Sequence, residues 1–296
     1  MFNDNEQNNV VLAFSLAYEA LEHDVDTTKH FLLEKWLPLI PLYTRVYAPK
    51  SAGGWVNFNF RFLFPIQEFE SALDMLLDML MVNLDFIKSQ GKGVYLWDFE
   101  IFIEYQLTQR VLISPEQLKL IVAIQSSFEE EPHISISLNS SSLSVDESIG
   151  ISEVETVSEN DYGEYYQLVF QTSQESIKQT IINNWNNAYG AKYTSHQYLS
   201  LIERAVGANA SYVVLSIKTE KIGELFEWNE IQNDLFNFIK QQKDFLDNNQ
   251  TKIVFGVYNC NYDGGEIGYS VIQPLIEMNI DLLITRSLKL PFNRIK

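Results

Sequence analysis

Hydrophobic and polar residues alternate along two stretches of the first half of the chain. Residues 55–64 place apolar side chains at every second position, namely Val56, Phe58, Phe60, Phe62 and Phe64. Residues 94–105 repeat the pattern with Trp97, Phe99, Ile101, Ile103 and Tyr105. Because successive side chains of a strand point to opposite faces of a sheet, both stretches are predicted to be half-buried strands.

Between these two strands the apolar period changes to three or four residues. Apolar side chains in residues 66–87 follow helical spacing and acidic residues fall mostly between them, which predicts an amphipathic helix. A second helix is predicted to begin after Ser114, with Pro115 as its first residue, and to end near Phe128. Renewed alternation in residues 134–138 predicts another strand.

The second half of the chain repeats this order of elements. Strands are predicted near residues 166–170, 212–217, 253–258 and 280–284, and helices near 231–239 and 271–278. Each half also has a predicted helix with one tryptophan, Trp36 or Trp185. Residues 86–90 (FIKSQ) and 238–242 (FIKQQ) are nearly identical. These features predict a tandem duplication, and the alternative is two unrelated domains with the same element order.

The predicted fold class is α+β, in the form of two tandem, duplicated ferredoxin-like α/β sandwich units. The first unit is predicted to span residues 1–139 and the second to span residues 164–296. Residues 140–163 are rich in Ser, Asp and Glu and poor in apolar side chains, so they are interpreted as an acidic linker or loop.

The whole chain is strongly acidic. Its 296 residues include 39 Asp or Glu and 21 Lys or Arg, for a formal net charge of −18 at pH 7. Such a chain repels phosphate groups, so we expect neither nucleic-acid binding nor attraction to anionic membranes. The polar, acidic start of the chain and its single cysteine, Cys260, predict a cytoplasmic protein without an intrachain disulfide.

One long stretch of the sequence contains acidic residues but no basic ones. Residues 120–177 contain 11 Asp or Glu and no Lys or Arg. Carboxylates grouped on one surface repel each other and create a field that attracts a cationic partner, and neighbouring tyrosines would add contact area. The predicted partner-binding residues are Glu129, Glu130, Glu131, Asp146, Glu147, Glu153, Glu155, Glu159, Asp161, Tyr162, Glu164 and Tyr165. The alternative is that these carboxylates only keep the chain soluble.

No catalytic, cofactor-binding or metal-binding residue is predicted. The histidines do not occur in a metal-ligand pattern, and the glycine-rich residues 263–268 are interpreted as a hairpin turn rather than a phosphate-binding loop. Asp98, Glu100 and Glu104 share one face of a predicted strand, on which neighbours two positions apart are separated by ~7 Å. That separation resembles the carboxylate spacing of some glycosidases, so a hydrolase stays open as an alternative.

The C-terminal segment resembles the C-terminal end of the domains in a bacterial family of unknown function, whose members are often encoded beside toxin loci. The resemblance is carried by the strand at residues 253–258, the turn glycines Gly264 and Gly265, the helix at 270–278 and the last strand at 280–284. The usual opening of that family, a strand followed by a Leu-Gly-x-x-Pro-like motif, is not found. The resemblance implies an immunity protein and implies no catalytic residues.

These observations together predict a non-enzymatic immunity or inhibitor protein. It would bind a basic protein toxin, for example a nuclease, and occlude the active surface of that toxin without any cofactor. Two alternatives stay open: a hydrolase that uses the strand carboxylates, and a sensor that binds a small molecule between the paired α+β units.

Overall fold

The computed structural model describes residues 9–19, 45–47, 55–89, 92–103, 109–128, 131–137, 164–172, 174–193, 197–202, 212–219, 228–259 and 265–286. The strands in these ranges are β1 (Asn9–Glu19), β2 (Arg45–Tyr47), β3 (Trp55–Pro65), β4 (Lys92–Ile103), β5 (Gln109–Ile113), β6 (His133–Ser137), β7 (Glu164–Gln171), β8 (Gln197–Ile202), β9 (Tyr212–Thr219), β10 (Lys252–Asn259), β11 (Gly265–Gly268) and β12 (Asp281–Arg286). The α-helices are α1 (Phe69–Val82), α2 (Leu84–Ser89), α3 (Pro115–Ser126), α4 (Glu175–Tyr193), α5 (Trp228–Asn248) and α6 (Tyr269–Met278). The predicted α+β fold class is confirmed.

The first sheet has six strands in the order β11-β6-β4-β1-β3-β2. β1 is antiparallel to β3 on one side and to β4 on the other, and β2 is antiparallel to β3. β6 runs parallel to β4, and β11 completes that edge in the antiparallel direction. The two alternating stretches of the sequence, β3 and β4, therefore lie on either side of β1.

The second sheet has six strands in the order β5-β12-β10-β7-β9-β8. β7 is antiparallel to β9 and to β10, and β8 is antiparallel to β9. β12 runs parallel to β10, and β5 completes that edge in the antiparallel direction. Each strand of this sheet thus has a counterpart at the same position and in the same direction in the first sheet, and the numbers of the two strands differ by six.

The chain divides into two compact units. The first consists of Met1–Leu107, Glu116–Val154 and Tyr262–Ile272, and the second of Thr108–Pro115, Glu155–Asn261 and Gln273–Lys296. Each unit therefore contains a short segment from the opposite half of the sequence. The predicted bounds of 1–139 and 164–296 do not include this exchange, because β5 and β11 are too short to produce a recognisable period.

The core of the first unit lies between α1 and the first sheet. Leu73 and Leu77 of α1 are buried, as are Leu12 of β1 and Phe62 and Phe64 of β3, and α1 packs against β3. Burial of side chains of this size stabilises the fold by about 1.5–3 kcal/mol each. The apolar spacing of residues 66–87 thus serves the core. The helix predicted there is divided at Asn83, whose Nδ2 donates to the Met79 carbonyl oxygen over 2.8 Å.

The core of the second unit is aromatic. Trp185 of α4 is fully buried, with its ring 5.9 Å from that of Tyr193 at an interplanar angle of 17°. Phe238 of α5 meets Trp185 edge-on, with ring centroids 5.1 Å apart, and Phe170 of β7 meets Phe238 in the same way at 6.2 Å. Such aromatic pairs add about 0.5–1.5 kcal/mol each beyond the area that they bury.

For residues 265–268, the structure corrects the interpretation as a hairpin turn. Gly265–Gly268 forms β11 and pairs with β6, with Ile267 opposite Ile134. Both isoleucines are buried, and this pairing outweighs the low strand propensity of the flanking glycines. Residues 263 and 264, and the predicted helix around Trp36, lie outside the described ranges.

Candidate functional site

Helix α1 presents a row of carboxylates to solvent. Its buried side chains are apolar and follow helical spacing: Phe69, Ala72, Leu73, Leu76, Leu77, Met79 and Leu80. With that face in the core, the helical period leaves Glu70, Asp74 and Asp78 exposed. These three residues are four positions apart and are therefore neighbours on the helix surface.

The row continues into exposed apolar side chains. Val82, four positions after Asp78, is 83% exposed, and Met81 beside it is 37% exposed. We define the α1 face as Glu70, Asp74, Asp78 and Val82. It combines charges that act over distance with an apolar side chain that gains from being covered.

The charges of the α1 face have no cationic partner within the part of the chain that the structure describes. Glu70 lies in the first turn of the helix, where a carboxylate interacts favourably with the helix dipole. Asp78 lies just before the last turn and gains no such stabilisation. The interaction with the helix dipole therefore explains why a carboxylate is favourable at Glu70, but it does not explain the carboxylate of Asp78.

Asp74 is held in place by a buried glutamine of α3. The Gln117 side chain is 3% exposed, and its Nε2 donates to Asp74 Oδ1 over 2.7 Å. The same nitrogen lies 3.3 Å from the carbonyl oxygen of Glu70, so α3 is tied to the backbone of α1 as well. The middle carboxylate of the α1 face is thus positioned by the core of its own unit.

The carboxylates of α5 are arranged differently. Lys192 Nζ of α4 lies 2.6 Å from Glu230 Oε1 and 2.6 Å from Asp234 Oδ2. Asp247 near the end of α5 pairs with Lys243 over 3.1 Å. Three of the four acids of α5 therefore take part in ion pairs, so among the described residues this helix has fewer unpaired carboxylates than α1 with which to attract a cationic partner.

Tyr193 completes the group around Asp234. Its hydroxyl donates to Asp234 Oδ2 over 2.7 Å, and its residue surface is fully buried. Burial, together with this hydrogen bond, raises the pKa of Tyr193 far above its ordinary value of 10.0. For Lys192, burial opposes the charge, but the hydrogen bonds to Asp234 and Glu230 outweigh it and raise the pKa. Lys192 and Tyr193 thus connect α4 to Glu230 and Asp234 of α5, and we call this group of four residues the clasp.

The structure places three of the twelve residues predicted to bind a partner. Glu131 is exposed, and its carbonyl oxygen lies 3.0 Å from Nδ1 of His133. Glu164 and Tyr165 begin β7, where their register partners on β9 are Thr219 and Lys218. Outside the described ranges lie Glu129, Glu130, Asp146, Glu147, Glu153, Glu155, Glu159, Asp161 and Tyr162. The predicted convergence of these carboxylates remains a prediction.

The strand carboxylates of the alternative hydrolase are placed only by the backbone. Glu100 of β4 has Ala13 and Ser135 as register partners, and Asp98 has Ser15. Glu104 lies outside the described ranges. In the part of the chain that is described, no three His, Cys, Asp or Glu residues are grouped so that they could hold a metal ion.

Sequence reasoning did not single out the α1 face, although a signal for it was present. Residues 62–87 contain no Lys or Arg and carry five acids, at Glu68, Glu70, Asp74, Asp78 and Asp85. The same pattern is typical of the polar side of any amphipathic helix, and periodicity alone does not reveal which exposed charges lack a partner.

Comparison with known proteins identifies no relative. No protein family, curated protein or solved structure matches the chain. In the described ranges, the helices are too short or too polar to span a bilayer.

Proposed function

We propose that the chain is a non-enzymatic inhibitor that binds a basic protein through the α1 face. The observation that carries the proposal is the row of exposed carboxylates on α1, which has no cationic partner among the described residues and ends at the exposed Val82. Maintaining like charges on neighbouring positions destabilises a helix by about 0.2–0.5 kcal/mol per pair. A binding role accounts for retaining them.

The mechanism follows from the range of the two interactions. Carboxylates steer a cationic partner from a distance of about 8 Å at physiological ionic strength and so increase the rate of association. Covering Val82 and Met81 then lowers the rate of dissociation, because apolar area is removed from water.

The specific form of the proposal is a cytoplasmic bacterial immunity protein that covers the active surface of a toxin, for example a nuclease. It is supported by the resemblance of the C-terminal segment to domains that are met beside toxin loci. We also propose that the two units are duplicated ferredoxin-like domains. Support comes from the shared strand order, in which the first four strands of each half are arranged 4-1-3-2.

The test is capture of a partner from an extract of the native cells by three forms of the immobilised protein. One is the wild type, one carries Glu70→Lys and Asp78→Lys, and one carries Asp244→Lys and Asp247→Lys on α5. Both double variants change the net charge by the same amount, and Asp74 is kept so that its hydrogen bond with Gln117 is not lost.

We expect a basic protein that is retained by the wild type and by the α5 variant, is lost with the α1 variant, and is released by 1 M NaCl. The purified protein should lose its activity when the wild type is added. Equal retention by all three forms, or release that does not depend on salt, would contradict the proposal.

A further inference from the structure

One of the two edge strands of each sheet comes from the opposite half of the sequence. β5, from the first half, pairs with β12 and completes the second sheet. β11, from the second half, pairs with β6 and completes the first sheet. β5 and β11 occupy matching places in the order of strands, so the exchange is reciprocal.

Both exchanged strands contribute to the core of the sheet that they join. Val111 and Ile113 of β5 are 1% and 0% exposed, opposite the buried Ile284 and Leu282 of β12. Ile267 of β11 is 3% exposed. The two strands therefore fill space in addition to forming ladder hydrogen bonds.

The two exchanged strands are unequal. β5 has five residues and two buried aliphatic side chains, whereas β11 has four residues, of which Gly265 and Gly268 bury no side chain. Glycine loses more conformational freedom than other residues when a strand forms, so β11 contributes less stability.

We propose that reciprocal strand exchange makes the two halves of the chain one folding assembly, in which each sheet depends on a strand from the other half. The surfaces involved are the edges of β6 and β12, on which β11 and β5 pair as short antiparallel strands. The pairing of β5 with β12 is the more stable of the two, and the pairing of β11 with β6 dissociates first. This inference does not rest on the proposed function.

The first test joins β5 to β12 covalently in the full chain. In a Cys260→Ser background, Leu112→Cys and Leu283→Cys place thiols on register partners, whose Cα atoms in an antiparallel pair lie about 4.5–5.5 Å apart. That distance suits a disulfide. The control combines Leu112→Cys with Ile284→Cys, which lies one position out of register on the other face of the strand.

Under mild oxidation, we expect an intrachain disulfide in the in-register variant, seen as a faster-migrating monomer on a non-reducing denaturing gel. The control should remain reduced. A disulfide-linked dimer would mean that the exchange occurs between two copies of the chain, and a thiol pair that stays reduced would mean that β5 does not lie beside β12. Either result would overturn the proposal.

The second test follows amide hydrogen exchange after Val111→Ala or Ile267→Ala. Val111→Ala should accelerate exchange in Asp281–Arg286 roughly tenfold while β1 and β3 are unchanged, because its partner strand lies in the second sheet. Ile267→Ala should accelerate exchange in His133–Ser137 instead. Leu112→Ala, at a side chain that is 40% exposed, is the control. Acceleration confined to the half that carries the substitution would refute reciprocal dependence.

Discussion

α1 and α5 occupy the same place in their units, between the third and fourth strands of each half, yet their acids are used differently. On α5, Glu230 and Asp234 share Lys192, and Asp247 pairs with Lys243. On α1, Asp78 has no ion pair among the described residues and lies beside the exposed Val82. Among the described residues, three of the four acids of α5 take part in ion pairs, whereas the three acids of α1 take part in none.

The balance of charge agrees with this comparison. Residues 66–89 carry five acids and one Lys, a net charge of −4, whereas Trp228–Asn248 carries four acids and two Lys, a net charge of −2. Lys192 of α4 neutralises one further charge beside α5. Four predictions test the contrast, beginning with the largest effect.

Asp234→Ala should destabilise the second unit by about 2–3 kcal/mol. The substitution removes one of the two carboxylate partners of Lys192 and the acceptor of the hydrogen bond from the buried hydroxyl of Tyr193. Chemical denaturation followed by tryptophan fluorescence measures the change. Asp244→Ala, at an exposed carboxylate of the same helix, is the control and should change stability by less than about 0.5 kcal/mol. Equal effects would show that Asp234 has no structural role.

Tyr193→Phe should cost about 1 kcal/mol at pH 7 and flatten the loss of stability in alkali. The folded pKa of Tyr193 is raised above 10.0, so its contribution is complete below pH 10 and declines as the unfolded chain ionises above that value. Lys192 acts in the same direction, since its pKa is raised above 10.5. Denaturation midpoints between pH 8 and pH 11 measure the slope, and an unchanged slope would contradict the assignment.

Gln250→Gly should stabilise the second unit by about 0.5–1 kcal/mol. Gln250 follows α5 with a φ of 52°, and the next amide, of Thr251, donates back to the Leu246 carbonyl oxygen over 3.0 Å. This left-handed position after a helix favours glycine. Asn83, which follows α1, has a φ of −102°, so Asn83→Gly should not stabilise the first unit. Thermal denaturation would distinguish the two variants.

Asp78→Lys should raise the stability of the first unit by about 0.3–0.5 kcal/mol, since it replaces a repelled carboxylate near the C-terminal end of α1 by a cation. Asp247→Lys places a cation in the last turn of α5 as well but breaks the pair with Lys243, so the two effects should largely cancel. A gain for Asp78→Lys that exceeds the change for Asp247→Lys in matched denaturation curves would support the comparison. A loss in both variants would show that Asp78 also stabilises its helix.

Local periodicity predicted the elements that bury many side chains. The apolar spacing of residues 66–87 corresponds to α1, and the alternation of residues 55–64 corresponds to β3. These patterns are recognisable because each element buries an apolar side chain at regular intervals over several turns or pleats. β2, β5, β8 and β11 were missed, since each is short and is defined by pairing with a distant strand. The clasp was missed for a related reason: Lys192 and Asp234 are 42 positions apart in the sequence.

The most direct test of the central claim is the association rate of the captured basic protein with the wild type and the two charge variants, measured at 0.05 M and 0.5 M salt. We expect at least a tenfold slower association for Glu70→Lys/Asp78→Lys at low salt, a difference that largely disappears at high salt. The Asp244→Lys/Asp247→Lys variant should associate at a rate close to that of the wild type. Equal slowing by both double variants would show that only net charge matters and would contradict a docking role for the α1 face.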